Sequence, residues 1–116
     1  MNADDLSRLK HMVQYAQQAL LFTDGKNRAS LEEDTQLVLA LCMAIGIVGE
    51  AAPNISRDFQ NENPQIPWPQ IISMRNRLFH GYFEVNLDIL WNTATLELPK
   101  LLSELRKIIP DETSKE

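Results

Sequence analysis

Arg75, Asn76, Arg77, His80 and Tyr82 fall within eight positions, and they include one of only two histidines and one of only two tyrosines in the chain. From Asn63 to Phe83 there is no acidic residue, although the chain carries a formal charge of −5. An arginine can fork two hydrogen bonds to phosphate oxygens and keeps its proton at any working pH. A histidine titrates near neutrality and can give or take a proton. An asparagine orients a phosphate or hydroxyl without adding charge. Such a cluster can hold a phosphate and move a proton, and it can equally be a structural hydrogen-bond network.

The elements that must position these residues read as helices. Leu6, Leu9, Val13, Ala16 and Leu20 recur at helical spacing behind a cap at Asp4 or Asp5, and Gly25 ends that helix. Ser30-Leu31-Glu32-Glu33 has the form of a capping box. The helix it opens runs from Leu37 through Val48 with almost no polar residue, which predicts burial on all sides at the centre of a bundle, or a face shared with another subunit. Gly46 and Gly49 allow a neighbouring helix to come close. Glu50, at the unfavourable end of that helix, calls for a cation nearby. After one or two turns within 54–60 and the rigid 63–69 connector, Pro69 opens a helix to about His80. Asn86 caps a last helix, and Pro99 kinks it near Thr95. No strand-period alternation or repeat occurs. The expected fold is all-α: an up-and-down bundle of four to five helices forming one domain over 1–110, with a polar tail at 111–116.

On a single helix through the motif, Arg75 falls in the middle of the apolar face, so it needs an anion or a wet cleft. Asn76 and His80 share a neighbouring stripe, while Ser73 and Arg77 point to water. His80 lies about 140° around from Arg75 and roughly 7.5 Å along the axis, so one straight helix makes a poor site and two facing copies a better one.

The 116 residues are enough for one domain with a small stability margin. The acidic balance argues against a broad, non-specific grip on nucleic acid but allows a small basic cleft. The lone cysteine, Cys42, reads as a small core residue and suits a reducing cytoplasm. The first residues lack a signal-peptide pattern, and the 37–48 apolar run is short for a bilayer. A cytoplasmic protein without membrane association is expected. Two distant histidines and one cysteine give no metal-ligand spacing, and no cofactor motif is present.

Arg75-Asn76, then His80, then Tyr82 resembles the Arg-x4-His-x-Tyr signature of HEPN-domain toxins of the HepT family. The resemblance extends over nearly the whole chain. Arg8-Leu9-Lys10-His11-Met12 is similar to that family's first helix, Ile47-Val48-Gly49-Glu50-Ala51 to the end of its second, and Pro64-Gln65-Ile66-Pro67-Trp68 to its connector. Tyr82-Phe83 through Leu90-Trp91 is similar to the start of its last helix. The resemblance implies a HEPN-like bundle and a metal-independent endoribonuclease, the toxin of a toxin–antitoxin pair. It implies an MntA-type minimal nucleotidyltransferase as antitoxin, which transfers AMP to the motif tyrosine, here Tyr82.

RNA carries its own nucleophile, the 2′-OH. Cleavage through it needs that proton removed, the phosphorane charge stabilised and the 5′-oxygen protonated, for which Arg75, Asn76 and His80 are the catalytic candidates. One such histidine per chain favours a homodimer. AMP on Tyr82 would fill a phosphate cleft with charge and bulk. Arg75 can alternatively neutralise Glu50 inside the bundle, and Arg77 can attract RNA or simply be solvated. His11 reads as a surface residue without chemistry, and Trp68 and Trp91 as core anchors. The competing function is a non-catalytic helical module that docks on a nucleotidyltransferase; a nucleotide- or small-ligand-binding bundle is a third.

Overall fold

The structure, a computed structural model, describes residues 1–81 and 84–110. Its two longest helices are α1 (Ala3–Thr23) and α3 (Thr35–Ala51), which pack on each other, with α2 (Ser30–Glu33) between them. A 3-10 turn (Ala52–Asn54) leads to α4 (Arg57–Glu62), then α5 (Trp68–Ile72) and α6 (Met74–Arg77). A short antiparallel hairpin, β1 (Phe79–His80) with β2 (Glu84–Val85), precedes α7 (Leu87–Asn92), a π-helical turn (Thr93–Glu97) and α8 (Leu98–Ile108). The fold is an all-α bundle, as expected, with one small hairpin that the residue pattern did not announce.

The core is a single cluster in which α1 supplies Leu9, Met12 and Ala16, α3 supplies Leu41, Ile45 and Val48, and the C-terminal helices supply Leu90, Leu98 and Leu105. Each large side chain so removed from water contributes on the order of 2 kcal/mol. Trp68 is buried against Phe59 in an edge-on pair, and its Nε1–H donates to the Asn63 carbonyl, as a core anchor should. Trp91 is half-buried against the same core. Gly25 closes the exit from α1 with a positive φ of 73°.

Several helix ends differ from the sequence reading because side chains three residues apart compete for the same cap. Asn2, not Asp4 or Asp5, caps α1 by accepting from the Asp5 amide at 2.7 Å. The Asp5 carboxylate is buried instead. It accepts from the Ser56 amide at 2.8 Å and the Ser56 hydroxyl at 2.6 Å, tying α1 to the start of α4. Ser30 does not open the long helix: its hydroxyl faces the Asn27 turn, and Asp34 caps α3 by accepting from the Leu37 amide at 3.0 Å. Nor is α3 buried all round, because Leu39 and Met43 on its outer face are 62% and 66% exposed. By length and composition alone, the 20 residues from Thr35 to Asn54 could cross a bilayer, but 44% of that stretch is buried inside the bundle as a core helix is.

The motif helix is the largest correction. It does not run unbroken from Pro69 to His80. Ser73, with ψ at −3°, separates α5 from α6, and its hydroxyl donates to the Gln70 carbonyl at 3.1 Å, a local bond that competes with helix continuation. Helix α6 ends at Arg77. The Leu78 carbonyl then accepts from the Asn86 amide, and Gly81 turns the chain with φ at +65°, a conformation outside any right-handed helix. His80 is therefore a strand residue. The kink expected at Pro99 is present, spread into the π turn. With no N–H at Pro99, the helix widens, and the Leu98 amide reaches the Thr93 carbonyl five residues back.

Candidate functional site

Arg75 lies on the face of α6 that turns toward α3, as the helical spacing required, yet it is exposed rather than buried. Small residues on α3 explain this. The Arg75 stem passes over Gly46 and Gly49: an added Cβ at Gly46 would stand 3.8 Å from Arg75 Cδ, and one at Gly49 would stand 3.6 Å from Arg75 Cβ. The stem thus covers backbone while the head reaches solvent. Its guanidinium lies over the Phe79 ring, 5.6 Å from the centroid, a cation–π contact worth about 0.5–1 kcal/mol at an exposed site. No ion pair to Arg75 is present among the described residues, so its donor fork is open to an anion.

Two open grooves meet at Arg75 and Phe79. One, of about 680 Å³, is lined by apolar Leu39, Met43 and Ile47 and by polar Arg8, His11, Glu50 and Arg75. The other, of about 450 Å³, is lined by Arg75, Asn76, Phe79 and Gly81. Arg75 and Asn76 therefore share a groove. Glu50 lines the first groove with two arginines, so cations are near it as its position called for. It forms no ion pair with Arg75, so the reading in which the two neutralise each other inside the bundle does not hold. Cys42 is half-buried in the wall of the same groove rather than sealed in the core, and burial pushes its thiol up from the ordinary value.

His80 lies next to Phe79 in β1, and because strand side chains alternate, the two point to opposite faces. Phe79 turns inward under the Arg75 guanidinium, while His80 is exposed and lines neither groove. Its ring Nε2 is 3.1 Å from Asn86 Nδ2. Within one chain, Arg75 and His80 thus flank Phe79, and His80 stands outside the two grooves that Arg75 lines. Arg77 is exposed but engaged: it pairs with Glu97 at 3.2 Å and donates to the Gln70 carbonyl at 3.1 Å, which fastens α6 to α5 and the π turn. Tyr82 lies outside the described residues.

His11 carried no expectation of chemistry, and the structure places it on the Arg75 groove. Arg8 and His11 are three apart on α1, so they share one helix face, but only the packing of α1 on α3 brings that face beside α6. Nothing along the sequence links positions 11 and 75.

Residues 12–108 match the family model described as "Ribonuclease HepT-like". A protein of Caldanaerobacter subterraneus subsp. tengcongensis named "Putative RNase" is 31% identical over 104 residues, covering 90% of this chain and 93% of that protein. A "Probable ribonuclease HepT" of Thermococcus cleftensis is 37% identical over 75 residues, covering 65% of this chain and 68% of its own. A "Putative RNase" of Methanocaldococcus jannaschii is 31% identical over 90 residues, covering 78% of this chain and 74% of its own. No solved structure matches. With the match spanning every element from α1 to α8, the chain belongs to the ribonuclease HepT-like family of RNA-cleaving nucleases.

Proposed function

We propose that this protein is the toxin of a toxin–antitoxin pair and cuts RNA in the cytoplasm by 2′-OH attack, without a metal. The observation that carries the reading is Arg75. Its guanidinium is held over Phe79 with no ion pair among the described residues, where two grooves meet. In the cut, the 2′-oxygen bonds to phosphorus and its proton leaves. The bond to the 5′-oxygen breaks, and that oxygen takes up a proton. Products are a 2′,3′-cyclic phosphate and a 5′-OH. Arg75 forks onto the non-bridging oxygens as charge builds, Asn76 orients the phosphate or ribose hydroxyl from the same groove, and His80 supplies proton-transfer chemistry.

The site is completed in a homodimer. What supports this is the separation of His80 from the Arg75 grooves, together with the exposed Leu39 and Met43 beside them, an apolar face suited to a second copy. An MntA-type nucleotidyltransferase acts as the antitoxin: the Tyr82 phenolic oxygen attacks the α-phosphorus of ATP, pyrophosphate leaves, and tyrosyl-AMP remains. Its phosphate then competes for the charge that RNA needs.

The test is RNA cleavage in excess chelator by wild type, Arg75→Ala and His80→Ala, with product ends identified. Wild type should leave cyclic phosphate, both variants should lose at least about a hundredfold in rate, and a substrate with a single 2′-deoxyribose at the cut position should survive. If His80→Ala cuts as fast as wild type, the assignment fails, and the non-catalytic docking module becomes the better reading. Tyr82→Phe should abolish AMP transfer by the partner; modification at the wild-type rate would remove Tyr82 as the acceptor.

A further inference from the structure

Asn86 sits where β2 passes into α7, and its backbone N–H, side-chain oxygen and side-chain NH2 are all engaged. Its amide N–H donates to the Leu78 carbonyl, closing the hairpin below His80. Its side-chain oxygen accepts from the Ile89 amide at 3.1 Å, capping α7. Its side-chain NH2 lies 3.1 Å from His80 Nε2. The second contact decides the third. Only the carboxamide oxygen can accept from a backbone N–H, so the NH2 must be the group facing the imidazole. An NH2 has no lone pair to offer, so Nε2 must be the acceptor in this contact. The His80 ring is then neutral, with its proton on Nδ1.

The geometry points to Asn86 as a positioning residue for His80: it fixes the ring's rotamer and tautomer and leaves Nδ1–H as the edge not engaged by Asn86. This deepens the ribonuclease reading and rests on it for its catalytic consequence. In the resting enzyme, His80 meets RNA as a hydrogen-bond donor to a phosphate oxygen. Any proton taken up on Nε2 must first displace the Asn86 NH2. The charged group facing His80 across the hairpin is Glu84, its strand partner, which is exposed. Asn86 differs from an ordinary helix cap in this respect, because the same amide that starts α7 selects the tautomer of the ring.

The tautomer is directly observable. Proton–nitrogen correlation spectra of the uniformly 15N-labelled chain, taken at about pH 8, above the ordinary histidine range, contain only two imidazoles. The His80 signals are assigned by their loss in His80→Gln. The expected wild-type pattern is a protonated Nδ1 and a bare Nε2. Asn86→Asp keeps the helix cap but turns an acceptor toward the ring, so the proton should move to Nε2. Asn86→Ser keeps a cap and withdraws the NH2, so His80 should show mixed tautomers, with kcat down about tenfold and KM within about twofold.

A wild-type ring protonated on Nε2 overturns the proposal, even if both variants fail to fold. So does Asn86→Ser with wild-type kcat and a single wild-type tautomer. Failure of the ribonuclease reading looks different: wild type does not cut RNA, or His80→Gln cuts as well as wild type, with the tautomer spectra unaffected.

Discussion

The residue that matters most, Arg75, is held by shape rather than by charge. Its stem rests on glycine backbone and its head on an aromatic face, and among the described residues no carboxylate is paired with it. Replacing it should therefore cost function and little stability. Arg75→Lys keeps the charge but loses the planar fork and the stacking on Phe79, so cleavage should fall at least about tenfold, while the unfolding free energy from urea titration changes by less than about 1 kcal/mol. Arg77, two residues on, is the contrast. Its guanidinium is spent on Glu97 and Gln70, which makes it a fastener of α6. Same residue type and same window, yet the partners separate the roles.

At the scale of elements, α6 meets α3 over Gly46 and Gly49, with the Arg75 side chain between. The contact distances permit a methyl at Gly46, set directly against the Arg75 stem. Gly46→Ala should leave cleavage near wild type and gain up to about 0.8 kcal/mol in helix propensity. Gly46→Leu should displace the Arg75 side chain and cut activity at least about tenfold with α3 intact, which cleavage assays and circular dichroism together would show. A second link, from α1 to α4, hangs on one buried carboxylate. Asp5→Ala would leave the Ser56 amide and hydroxyl without their acceptor, and it should lower unfolding free energy by about 2–3 kcal/mol in denaturant titration.

At the scale of the whole molecule, the groove that holds Arg75 is lined in part by the exposed Leu39 and Met43. Leu39→Asp with Met43→Asp should give a monomer by light scattering and should lose cleavage at the same time, since the proposed site needs both copies. A sharper check mixes inactive chains. If each site takes Arg75 from one chain and His80 from the other, equal amounts of Arg75→Ala and His80→Ala subunits, allowed to exchange, should recover about a quarter of wild-type activity. Sites confined to one chain would recover none.

The sequence by itself determined a good deal. Hydrophobic periodicity marked the helices, Gly25, Asn86 and Pro99 marked an exit, a cap and a kink, and the two small residues on α3 announced a close neighbour. These are local effects, in which propensity, capping and steric room act within a few residues. The order of motif residues pointed to the family. What the chain alone could not decide were contests between near-equal local options and contacts between distant segments. Asn2 won the cap of α1 while Asp5 was held by Ser56 from 51 positions away, and Asp34 won that of α3 while Ser30 stayed in the Asn27 turn. His80 left the helix because Gly81, Leu78 and Asn86 close a hairpin, and a helical wheel drawn through it had no way to register that. His11 reached the Arg75 groove only through the packing of α1 on α3. The chemistry-bearing residue types were legible one by one, but which of them face each other depends on tertiary packing, since that alone brings residues 11, 50 and 75 to one wall and sets Asn86 against His80.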